Sequence, residues 1–96
     1  MDPANPDITI SDVVVSTAGR DRGQWFYVIK EEPQYLYLAN GKDRTLDKPK
    51  RKKRKHIQKV LRSETRVAEK LRAGDKVLNG ELRRDLAFLA RETTSE

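Results

Sequence analysis

The chain has 96 residues, of which 35% are hydrophobic and 38% charged, with a formal net charge of +6 and a pI near 9.8. That length suits one small domain with a modest core and excludes a large substrate cavity. Cysteine is absent, which excludes a disulfide scaffold and any thiolate metal site and fits a reducing compartment.

Residues 1–10, with Pro3 and Pro6 and few apolar groups, read as a flexible lead-in. The opening has neither the basic nor the apolar region of a signal peptide, and no apolar run approaches the roughly 20 residues of a membrane span. A cytoplasmic protein is therefore expected.

Short strand signals follow. Val13-Val14-Val15 is β-branched, and a polar loop bracketed by glycines, Gly19 to Gly23, leads into the aromatic and β-branched run Trp25 to Ile29. Glu31-Glu32-Pro33-Gln34 breaks the pattern before a third strand, Tyr35-Leu36-Tyr37-Leu38. Asn40-Gly41 is a strong turn pair, Arg44-Thr45-Leu46 reads as the start of a fourth strand, and Lys55-His56-Ile57 as a fifth. Several short strands at this spacing predict a small β-barrel over residues 11–58.

Residues 59–96 change character and predict one or two helices. The first runs from about Ser63 to Arg72, with Ser63 as N-cap, Gly74 just past the end, and Val67 and Leu71 on one face. The second runs from about Asn79 to Arg91, with Leu82, Leu86, Leu89 and Ala90 forming an amphipathic stripe. That stripe is expected to cover the barrel; the other use open to it is to dock a partner.

Val13 to Ile29 resembles a KOW motif, which is a hydrophobic strand, a basic loop ending in a fixed glycine, and a second hydrophobic strand. Gly23 matches the glycine, and Val14 and Val28 match the flanking hydrophobic positions. Phe26 departs from the pattern, which often has a small residue there. This stretch resembles those of short bacterial KOW-domain RNA-binding proteins and of the KOW domains of archaeal and eukaryotic large-subunit ribosomal proteins. The resemblance covers about half the chain. It implies a mainly β fold, an SH3-like barrel followed by the helices, and binding to RNA, usually ribosomal RNA.

The residues themselves point the same way. The positive excess is concentrated in Lys48, Lys50, Arg51, Lys52, Lys53, Arg54, Lys55 and Lys59, with no acid among them, and charges nearly balance elsewhere. A dense basic strip suits a polyanion, held through phosphate contacts that weaken with salt. Arg20 and Arg22 are expected to project from the loop beside Gly23, where a missing side chain lets a nucleic-acid backbone approach. Strand alternation together with the KOW match puts Phe26 and Val28 inside with Val14. Trp25 is then left either to stack on a base or to receive the helices.

His56 ends the strip. A single histidine without cysteine argues against a metal site, and no nucleophile–base pair or P-loop is present, so no catalytic residue, metal or cofactor is assigned. Glu81 and Asp85 read as surface ion-pair partners. The expected partner is RNA, with ribosomal proteins as neighbours and no membrane or small-molecule substrate. Two other readings stay open. Pro49 to Lys55 also has the form of a nuclear localisation signal, and a KOW-type domain can act as a protein-interaction module in transcription.

Overall fold

The computed structural model describes residues 7–94. Five strands precede two helices: β1 (Asp12–Ser16), β2 (Trp25–Glu31), β3 (Tyr35–Ala39), β4 (Lys50–Lys53), β5 (Ile57–Arg62), α1 (Arg66–Ala73) and α2 (Asn79–Thr94). A single 3-10 turn, Arg54–His56, joins β4 to β5. The strands form one antiparallel sheet in the order β4-β3-β2-β1-β5. β4 and β5 are its two edges and share no ladder, so the sheet is open, and with two helices behind it the domain is mixed α/β.

Both faces of this sheet are buried over part of their area, which its strand sequences encode by alternation. Val14, Phe26, Val28, Leu36, Leu38 and Ile57 gather on one face with Ile8, which lies in the expected lead-in and is fully buried. Val13, Tyr27 and Ala39 point the other way and meet Val67, Ala68, Leu82 and Leu86 of the helices. Burying each large side chain is worth about 1.5–3 kcal/mol, so the helices supply a second core to a sheet that has little material for one.

Three elements differ from the sequence expectation. The fourth strand starts at Lys50, because Arg44 to Leu46 belong to a turn. In that turn Asn40 Oδ1 accepts the backbone N–H of Lys42 (2.9 Å) and of Arg44 (3.0 Å), which removes both from any ladder. Gly41 is required there: a Cβ would lie 2.2 Å from the carbonyl oxygen of Asn79, where the start of α2 abuts the turn. The fifth strand starts at Ile57, as Lys55 and His56 lie in the 3-10 turn.

The first helix is capped by Thr65, whose hydroxyl accepts from Ala68 N, and it ends on left-handed Gly74. Ser63 is instead buried and engaged by Tyr27. The Tyr27 hydroxyl donates to Asp85 Oδ2 and lies in hydrogen-bond contact with Ser63 Oγ (2.8 Å), and Thr65 Oγ1 also donates to Asp85 (2.8 Å). Asp85 is therefore no surface ion-pair partner but the anchor of a polar network between sheet and helices. Burial of Tyr27, reinforced by the Asp85 carboxylate, pushes its phenol up to about 12. Glu81 does pair at the surface, with Lys70 of α1 at 2.9 Å. No helix among the described residues is long and apolar enough to cross a membrane.

Candidate nucleic-acid interface

The basic strip does not present itself whole. As a strand its side chains alternate, so β4 sends Lys50 and Lys52 to the face of Leu38 and Leu36, and Arg51 and Lys53 to the other. The inward pair meets Asp21 of the glycine loop. Lys52 Nζ sits 3.0 Å from Asp21 Oδ1 and donates to the Ala18 carbonyl at 2.8 Å, while Lys50 Nζ lies 3.3 Å from Asp21 Oδ2. The Lys52 side chain is only 9% exposed. Burial alone would raise the Asp21 carboxyl, but the Ser16 hydroxyl (2.7 Å), Lys52 and Lys50 outweigh it and hold the group at about 2.

Arg54 is likewise buried and structural. Its Nε donates to the Glu32 carbonyl and its Nη1 to the Ile8 carbonyl, both at 3.0 Å, with Glu31 beside it. Lys59, on β5, pairs at 3.4 Å with the buried Asp12. His56 is half-buried in the turn, its carbonyl accepting from Thr17 N. Lys48, Lys53 and Lys55 are exposed and, among the described residues, make no ion pair. Arg51 is exposed too but occupied: it pairs with Glu32 and lies over the Tyr35 ring.

The loop keeps its expected form. Gly23 has φ +88°, its N–H donates to the Ser16 carbonyl at 2.8 Å, and nothing would stand within 4 Å of a Cβ there. Arg20 and Arg22 are exposed at the tip. Asp21 ties the loop to Lys50 and Lys52 of β4, on the face opposite Arg51 and Lys53. Trp25 is half-buried against the second core, beside the helices.

Beside the loop lies an open pocket of about 260 Å³, lined by Arg20, Asp21, Gln24, Phe26, Asp43, Arg44 and Lys50. It brings one cation each from the loop, the Asn40 turn and β4 around a single hollow. Arg44 was missed by the sequence reading because that segment looked like a strand; the signal lay in the basic, polar residues after Asn40-Gly41. Tyr35 and Tyr37 were missed as surface groups, although their alternation with Leu36 and Leu38 assigns them to the opposite face. Among the described residues, no three His, Asp or Glu side chains gather in a way that could hold a metal ion. No family model matches the chain, and no curated protein is significantly similar to it.

Proposed function

We propose that this protein binds RNA, gripping phosphates with the cations around and beside the loop pocket. The observation that carries the reading is the meeting of the exposed Arg20 and Arg44 at that pocket, where Lys50 is already paired with Asp21, with Arg22, Lys48, Lys53 and Lys55 also exposed. Phosphate contacts of this type position a nucleic acid without reading its sequence, so shape decides where the protein docks. Together with the KOW resemblance of Val13 to Ile29, this favours ribosomal RNA and a ribosomal or ribosome-associated role in the cytoplasm. The same resemblance favours reading the five-stranded sheet as an SH3-like relative whose β4 and β5 stop short of closure. A partner-docking role for the helical stripe has less support, because Leu82 and Leu86 are spent on the protein's own sheet.

The test is binding to ribosomal RNA and to duplex DNA across a salt series, with Arg20→Ala/Arg44→Ala beside the wild type. RNA binding that is tighter than DNA binding and weakens with salt is expected. The double variant should flatten the log–log slope by roughly 1.4, at about 0.7 per lost contact. No binding to either nucleic acid at moderate salt sinks the reading.

A further inference from the structure

The outer face of β3 and β4 carries a contact of a different kind. The register sets Tyr37 opposite Arg51, Tyr35 opposite Lys53, and Lys30 of β2 opposite Tyr37. This is the face the helices cover over Val13, Tyr27 and Ala39, but neither Tyr35 nor Tyr37 belongs to the group packed beneath them. Aromatic and basic side chains therefore share an uncovered end of the sheet.

Arg51 is held there in a fixed pose. Its guanidinium carbon lies 3.6 Å from the centre of the Tyr35 ring, and its Nε and Nη2 each lie 3.1 Å from Glu32 Oε1. Glu32 also accepts from the Tyr37 hydroxyl at 3.1 Å, and the Lys30 ammonium stands 5.1 Å from the Tyr37 ring centre. Even so, 49% of the Arg51 side chain is open to solvent.

A cation meant for phosphate is best left free of carboxylates, as Lys53 and Lys55 are. Arg51 has Glu32 against its charge and a ring fixing its plane. What it offers is a flat, delocalised surface whose ordering cost is already met in the unbound protein. Unpaired RNA bases stack on such guanidinium planes, and every base has a π-face, so the contact needs no particular sequence.

We infer that Arg51, laid on Tyr35 and pinned by Glu32, is a stacking plate for an unpaired base of single-stranded RNA. This rests on the RNA-binding reading and narrows it: the loop pocket and exposed lysines hold phosphate, and the β3–β4 face takes a splayed base.

The experiment compares a short oligouridylate with an RNA duplex of equal length, each titrated across a salt series against wild type, Arg51→Lys and Tyr35→Val. A parallel titration uses an oligonucleotide carrying 2-aminopurine, whose fluorescence falls on stacking. Arg51→Lys keeps the charge and loses the plane. It should weaken single-strand binding roughly tenfold at every salt concentration, with an unchanged salt slope, unchanged duplex binding and loss of the 2-aminopurine quenching. Tyr35→Val removes the support and keeps strand propensity, so it should reproduce that loss with every cation in place. If wild type binds RNA but Arg51→Lys is indistinguishable from it, or weakens duplex and single strand alike, the plate is overturned and the phosphate-binding reading stands. If wild type binds neither RNA, both fall.

Discussion

Lys52 and Lys53 are neighbours in one basic run and have opposite fates. The first is buried against Asp21 and the Ala18 carbonyl; the second is exposed and unpaired among the described residues. The same division separates buried Arg54 from exposed Lys55. A string of like charges is thus two devices. Its inward members brace the glycine loop and the residues around Ile8 to the sheet, and its outward members are available to a polyanion. The lesson is that charge density along a sequence overstates the charge a folded surface offers.

The largest expected effect tests the inward half. Asp21→Ala leaves the Lys52 ammonium buried without its counter-ion, which should cost about 3 kcal/mol of stability in urea denaturation. A loss under about 1 kcal/mol would show that the inward lysines are held no more firmly than surface groups, and the division would collapse.

A second probe uses acid. The Asp21 carboxyl is depressed in the folded protein to about 2 from an ordinary 3.8. Its contribution is therefore complete above about pH 4 and is lost as pH falls through about 2. That contribution should be on the order of 1–2 kcal/mol, allowing for partial solvation of the pair. Asp21→Asn should remove this part of the acid dependence, read from denaturation midpoints across that window.

Tyr27→Phe supplies a reference from a network of hydroxyls around the Asp85 carboxylate. Losing the hydroxyl bonds to Ser63 and Asp85 should cost about 1–2 kcal/mol. Because the Tyr27 phenol is raised to about 12 from an ordinary 10.0, its stabilisation is whole below about pH 10 and fades as pH climbs through about 12. Alkaline denaturation of wild type and variant should converge across that range. Parallel curves would remove Tyr27 as the titrating group.

The smallest stability effect belongs to the outward half. Lys53→Ala/Lys55→Ala should leave stability within about 0.5 kcal/mol and reduce the salt slope for RNA by roughly 1.4. A large drop in stability would mean that these lysines, too, are structural.

Much of the fold was legible in the chain. Val13 to Val15, Trp25 to Ile29 and Tyr35 to Leu38 are strands because β-branched and aromatic residues fit a pleated, half-buried surface, and each forms where its composition indicates. Gly74 ends α1 in the left-handed conformation, and the Leu82–Leu86 stripe covers the sheet. The fourth strand was misplaced because its true residues are Lys50 to Lys53, whose composition hides strand character. Only pairing with β3 and burial of Lys52 against Asp21 make that stretch a strand.

By itself, then, the sequence determined the order of elements, the loop between β1 and β2, the alternation of Phe26 and Val28 against Trp25 and Tyr27, and the presence of a strong positive charge. These follow from local propensity and period, which neighbouring residues encode. The tertiary structure alone decided which cations are spent inside, that Arg44 joins Arg20 and Lys50 at one pocket, that Asp85 reaches Tyr27, and that Arg51 lies flat on Tyr35. Each of those joins residues distant in sequence or on different elements, and depends on strand register and on which carboxylate the fold brings within reach.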